Sequence, residues 1–114
     1  MTQEQKDLLL KDLCSRLPYF VKVQIKNEIV VLDSICDDDG YHFNFIGDDR
    51  EGVNIEEIKP YLFPISNMTE EQDKEFMNIQ IGYPSVDWFN KNHFDYRGLI
   101  EQGLAIDATG LNIY

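Results

Sequence analysis

Two hydrophobic periods run along this chain, and the switches between them divide it into three stretches. Leu9, Leu10, Leu13 and Leu17 recur near the helical repeat of 3.6 residues. Ahead of them, Thr2-Gln3-Glu4-Gln5 has the form of a capping box, in which the Thr hydroxyl and the Gln amide each satisfy an orphan N–H. The spacing predicts an amphipathic helix over residues 3–16, stopped by Pro18. The period then drops to two. Val21-Lys22-Val23-Gln24-Ile25-Lys26 alternates strictly and predicts a half-buried strand, followed by a turn at Asn27-Glu28. Ile29-Val30-Val31-Leu32 opens a second, β-branched and more buried strand that runs to about Cys36. Asp37-Asp38-Asp39-Gly40 reads as a hairpin turn, and Tyr41, Phe43 and Phe45 alternate with His42 and Asn44 in a third strand.

Residues 47–52 form another turn, and Val53-Asn54-Ile55-Glu56-Glu57-Ile58 reads as a strand end running into one helical turn. Tyr61-Leu62-Phe63-Pro64-Ile65 is apolar but bracketed by prolines, which predicts an edge strand. Thr69-Glu70-Glu71-Gln72 is a second capping box, opening a helix to about Asn78 with Phe76 and Ile79 inward. Gly82-Tyr83-Pro84 breaks the chain; Ser85 suits the cap of a third helix carrying Val86, Trp88 and Phe89. Asp95 suits the cap of a fourth helix carrying Leu99 and Ile100, closed by Gly103 at its C′ position. The expected fold is α+β. A small antiparallel SH3-like barrel or curled sheet (18–66) follows the N-terminal helix (1–17) and precedes a helical C-terminal segment (67–114), packed as one domain.

Composition narrows the function classes. The 114 residues carry 21 acids and 10 bases, a formal net charge of −11, with 43% hydrophobic residues. That apolar fraction suits one modest core, and the acidity argues against direct grip on nucleic acid or on an anionic membrane. The charge is uneven: residues 1–26 hold three acids and five bases, and the other 88 hold eighteen acids and five bases. Solubility is the plain reading of that excess. Met1-Thr2-Gln3-Glu4-Gln5 has no basic stretch, Leu8-Leu9-Leu10 is too short for a signal peptide, and no run approaches the roughly 20 apolar residues of a membrane span. A cytoplasmic protein is expected. Cys14 and Cys36 lack zinc-ligand spacing; a reducing cytosol favours two free, buried thiols, with a disulfide between them as the alternative.

Three further stretches carry a resemblance. They are Asn54-Ile55-Glu56-Glu57-Ile58-Lys59-Pro60-Tyr61-Leu62-Phe63-Pro64 with Ser66-Asn67-Met68-Thr69-Glu70-Glu71, the tail from Asp87 to Ala105, and the opening from Leu8 to Tyr19, distributed from near one end of the chain to near the other. In these motifs the chain resembles a family of small uncharacterised proteins encoded by phages and mobile elements of gut anaerobic bacteria. The resemblance implies an origin and brings no activity with it.

The candidate chemistry is sparse. A calcium loop beginning at Asp37 needs a ligand at position 5, Gly at position 6 and Glu at position 12, where this chain has Tyr41, His42 and Asp48. The acids of the two turns lie about 20 Å apart if residues 41–46 form a strand at ~3.3 Å per residue, so one metal cannot join them. No metal or cofactor is expected. His93-Phe94-Asp95-Tyr96-Arg97 is the densest polar-aromatic cluster. It suits a small enzyme in which His93 is a base or ligand, Asp95 its orienting carboxylate and Arg97 an anion holder. The structural reading is favoured, with Asp95 as a cap, Phe94 and Tyr96 packed, and His93 ending a helix. No GxSxG, phosphate-binding loop or Cys–His pairing accompanies it.

Trp88, Phe89, Phe94 and Tyr96 read first as core, and otherwise as an exposed patch for a partner. The candidate interaction residues are Trp88, Phe89, His93, Tyr96 and Arg97. The leading expectation is a non-enzymatic accessory or protein-interaction module with a protein partner. The second is an acidic nucleic-acid mimic that inhibits a DNA-binding protein through Asp37, Asp38, Asp48 and Asp49. The third is the enzyme centred on His93 and Asp95.

Overall fold

The computed structural model describes residues 1–79 and 83–114. Helix α1 (Gln3–Arg16) opens with the expected box, Thr2 Oγ1 accepting from Gln5 N at 3.1 Å and Gln5 Oε1 accepting from Thr2 N at 2.9 Å. A 3₁₀ turn at Leu17–Tyr19, with Pro18 in it, ends the helix. Three antiparallel strands follow, β1 (Lys22–Ile25), β2 (Glu28–Asp37) and β3 (Tyr41–Phe45). After a 3₁₀ turn at Ile55–Glu57 comes β4 (Lys59–Pro64), then α2 (Glu70–Met77), α3 (Tyr83–Lys91) and two short strands, β5 (Phe94–Asp95) and β6 (Ile106–Asp107). Among the described residues no helix is long and apolar enough to cross a membrane.

Local chemistry explains the meander. Val21, Val23 and Ile25 are buried while Lys22 and Gln24 lie on the other, wetter face, as their alternation predicts. The β1–β2 turn is centred on Lys26 and Asn27, one residue earlier than expected, and both adopt left-handed backbone at φ 49° and 67°. Two such residues in succession match the right-handed strand twist. The β2–β3 turn takes Asp39 and Gly40 through positive φ, 54° and 108°. Asp33 is an extra residue between the Leu32–Phe45 and Ser34–Asn44 pairs, a bulge that bends the long strand. Strand β2 is wetter than its β-branched sequence predicts: Ile29 is 49% exposed, and Leu32 is its fully buried member.

The architecture is α+β, an N-terminal helix on a mixed sheet of order β3-β2-β1-β4-β5, with β6 also paired to β4. This sheet is not closed into a barrel, and it is not purely antiparallel. Strands β5 and β6 run parallel to β4, through Phe63–Phe94 and Tyr61–Ile106. Strand β4 is therefore interior, not the edge its prolines suggest. It tolerates them because Pro60 and Pro64 sit near its two ends. The bonds to the C-terminal segment use other groups, Phe63 N donating to His93 O and Ala108 N to Leu62 O, each at 2.8 Å.

The core joins Leu9 and Leu13 of α1 to Val23, Ile25, Leu32, Phe43, Phe45 and Leu62 of the sheet, and Leu99 and Leu104 close it from the tail. Helix α2 carries the second capping box, with Phe76 and Ile79 half-buried as expected. The break expected at Gly82 lies outside the described residues. Because α3 begins at Tyr83, Ser85 falls inside the helix and is not its cap. The expected fourth helix is a compact turn. Asp95 accepts from Leu99 N (3.0 Å) and Ile100 N (2.9 Å), so the cap exists without the helix. Leu104 N donates to Leu99 O and Gly103 N to Ile100 O, a Schellman closure that ends the segment after one turn.

Gly103 has φ 73°, and a β-carbon there would meet no atom within 4 Å. The cost of Gly103→Ala is then conformational alone. We expect about 1 kcal/mol of lost stability by urea denaturation, with Gly103→Asn losing less.

Candidate functional site

Four polar residues of α1 and the tail meet beneath the helix. Leu9, Asp12, Leu13 and Arg16 share one face of α1, and all four are fully buried. Arg16 grips Asp12 with a fork, Nε to Oδ2 at 2.8 Å and Nη2 to Oδ1 at 3.1 Å. Its Nη2 also donates to the carbonyl of Phe94 at 2.7 Å, tying α1 to β5. Arg97 donates from Nη1 to the same Asp12 Oδ1 at 3.1 Å and to the Tyr96 hydroxyl at 2.6 Å. The Tyr96 hydroxyl donates to Asn90 Oδ1 of α3 at 3.0 Å, and its ring lies under both guanidiniums, 4.5 Å from Arg97 and 5.4 Å from Arg16. Two arginines thus share one carboxylate, and Arg16 Nη1 is buried without a partner.

His93 stands apart from this network. It takes left-handed backbone (φ 61°) just past α3, so it does end that helix, and its ring stacks on Tyr114 with centroids 3.7 Å apart. The Tyr114 hydroxyl donates to Tyr61 O at 2.8 Å and accepts from Lys22 N at 2.9 Å, and the Lys22 ammonium bonds Ile113 O. Burial, with the nearby Arg16 and Lys22 charges, pushes the His93 pKa down to about 4, and burial pushes Tyr114 up to about 12. His93 Nδ1 is buried without a partner, so Asp95 does not orient this ring. Both Asp95 oxygens are engaged by backbone N–H groups, and Arg97 is held by Asp12. The pentapeptide His93–Arg97 therefore separates into three structural roles and does not converge on one reacting point.

The aromatic candidates form a second packed layer. Trp88 is 6% exposed, so it is core and not a surface contact, and its Nε1 donates to Glu75 of α2 at 2.8 Å. It stacks on Phe94 at 5.7 Å, and Phe76 meets Trp88 at 5.5 Å and Phe89 at 5.0 Å. Phe89 also stacks on Tyr96 at 5.5 Å, and Phe63 links Phe94 to Tyr114. Phe89, Tyr96 and Arg97 are half-buried. The acidic turns are unequal. Arg50 bonds Asp48 at 2.8 Å and Glu28 at 2.7 Å, holding Asp48 below the usual carboxylate range, whereas Asp37, Asp38 and Asp39 are exposed. Among the described residues no cluster of three metal-ligating side chains occurs. Cys14 and Cys36 are free and both exposed, not buried as expected. Partial desolvation raises the Cys14 pKa, which leaves little thiolate for nucleophilic chemistry at neutral pH.

An open cleft of about 560 Å³ lies between α1 and α3, with Lys11, Ser15, Tyr19, Val86, Tyr96 and Arg97 in its walls. Asp12, Arg16, Tyr19 and Tyr114 are not among the candidates expected from the sequence. Asp12 and Arg16 did leave a signal, because both occupy the Leu9–Leu13 stripe where apolar residues belong. Comparison with protein families, with curated proteins and with solved structures found no match.

Removing one partner strands the other charge in the interior. Asp12→Ala is expected to cost about 3–5 kcal/mol by chemical denaturation, and the double change Asp12→Leu with Arg16→Met to recover most of it. The depressed His93 pKa sets a second expectation. Between the ordinary value near 6.5 and about 4, the unfolded chain takes up a proton that the folded one refuses. Stability falls as pH drops through that window and levels off below it. His93→Asn, which tolerates positive φ, removes this component when the two proteins are denatured side by side over the pH range.

Proposed function

We propose that the protein is a cytoplasmic, non-enzymatic protein-interaction module of phage or mobile-element origin. One observation carries the reading. Phe20, between the 3₁₀ turn and β1, is 62% exposed and sits in left-handed backbone at φ 56°, ψ 49°. A bulky residue pays a steric cost there that glycine would avoid, and it gains no burial in exchange. Strained, exposed aromatics are characteristic of contact surfaces. Val86, 39% exposed, and half-buried Tyr19 line the neighbouring cleft together with Tyr96 and Arg97, two of the interaction residues expected from sequence.

The engagement of both Asp95 oxygens by backbone N–H groups, with His93 Nδ1 left without a partner, supports a non-enzymatic role over the catalytic one. The engagement of Asp48 by Arg50 removes one of the four carboxylates that charge mimicry would present. The net charge of −11 continues to disfavour direct nucleic-acid contact.

Phe20→Gly is expected to keep stability within about 1 kcal/mol of the parent, or to raise it, as backbone strain is relieved. The same change abolishes capture of a protein partner from host lysate, and capture by the parent persists at moderate salt. Capture that weakens steeply with salt, and fails when Asp37, Asp38, Asp48 and Asp49 are neutralised together, would replace this reading with mimicry.

A further inference from the structure

We propose that the cleft between α1 and α3 is a binding site for a carboxylate carried on an apolar body. This site does not depend on the interaction reading above. The charge balance at the cleft floor favours an anion. Among the described residues, Lys11, Arg16 and Arg97 line or back the cleft against Asp12 and Asp87, so one positive charge is in excess within a chain of net charge −11. Lys11 is exposed and forms no ion pair among the described residues. Asp87 is occupied as the acceptor for the Tyr19 hydroxyl.

The donor geometry is prepared. Arg97 commits Nη1 to Asp12 and Tyr96, while its other edge, Nε with Nη2, meets among the described residues only Ser15 Oγ, at 3.5 Å. That edge is a planar two-donor fork, the shape that accepts both oxygens of a carboxylate. The guanidinium is held in place by the buried Asp12 and by the Tyr96 ring at 4.5 Å, so little side-chain entropy is lost on binding. Ser15 and the flexible Lys11 stand one turn apart on α1, on the same side of the cleft.

The remaining walls choose the ligand's body. Pro18, Tyr19, Val86 and Tyr96 are apolar or aromatic, and about 560 Å³ accommodates a small organic molecule. A single excess positive charge balances a monoanion, and the Asp87 carboxylate in the wall disfavours a dianion such as phosphate.

The test is an NMR titration of the isotopically labelled full chain with phenylacetate, phenylacetamide and inorganic phosphate. Phenylacetate should shift the Arg97 Nε–H and the Ser15 and Val86 amides and saturate with a Kd on the order of 1 mM, a value in scale with its size. Phenylacetamide and phosphate should each bind at least about tenfold more weakly, the worth of a charge-assisted hydrogen bond. Lys11→Met, on the surface and outside the buried network, should weaken phenylacetate about threefold, and Arg97→Lys about tenfold. If Arg97→Lys does not fold, Lys11→Met alone decides. Absence of cleft shifts, equal binding of the amide or of phosphate, or indifference to Lys11→Met would each overturn the site.

Discussion

Asp12 and Arg16 are one helical turn apart, and both are fully shielded from water. Burial of a charge pair costs several kcal/mol per ion, and that cost is offset only where nearly every lone pair and N–H is met. This requirement organises the rest of the molecule. Arg16 needs the Phe94 carbonyl, so the start of β5 must lie under α1. Asp12 takes a third hydrogen bond from Arg97, so the chain after β5 must turn back toward the same helix. Tyr96, held between the two guanidiniums and Asn90, brings α3 to that point as well. Within this network, among the described residues, Arg16 Nη1 is the buried group left unsatisfied.

The aromatic layer does a different job with less directional force. Phe76, Trp88, Phe89, Phe94 and Phe63 contact one another in a continuous chain from α2 to β4. Tilted and stacked rings add about 0.5–1.5 kcal/mol per pair beyond their burial, and they tolerate a range of angles. Helices α2 and α3 thus dock largely through ring contacts, whereas α1 adds a buried ion-pair network to its Leu9 and Leu13 core contacts. The cleft lies at the boundary between the two, with Arg97 fixed by the buried network on one side and Pro18, Tyr19 and Val86 as its apolar lining.

The parallel pairings of β5 and β6 follow from the same constraint. Each strand is two residues long and has no strand-like run in sequence. Their registers exist because His93 O and Ala108 N are delivered to β4 by a chain already anchored at Phe94 and Leu104. Sequence periodicity cannot show such strands, since two residues carry no period. For this reason the sheet is mixed and unclosed, where an antiparallel barrel or curled sheet was expected.

Features closed within a few residues were legible in the sequence. The capping boxes at Thr2 and Thr69, the stop at Pro18, the alternation of β1 and the glycine closure at Gly103 all depend on neighbours within one turn. The aromatic cluster was legible as hydrophobic mass, with Trp88 in the core, but its partners were not. The candidate site was barely legible. Arg97 was singled out for an anion, yet its anchoring to Asp12 spans 85 residues, and the Arg16–Phe94 bond spans 78. A charge in an apolar helical stripe can be seen in one dimension. What compensates it is decided only when distant chain segments are brought together, because hydrogen-bond geometry and burial belong to the folded neighbourhood and not to the order of residues.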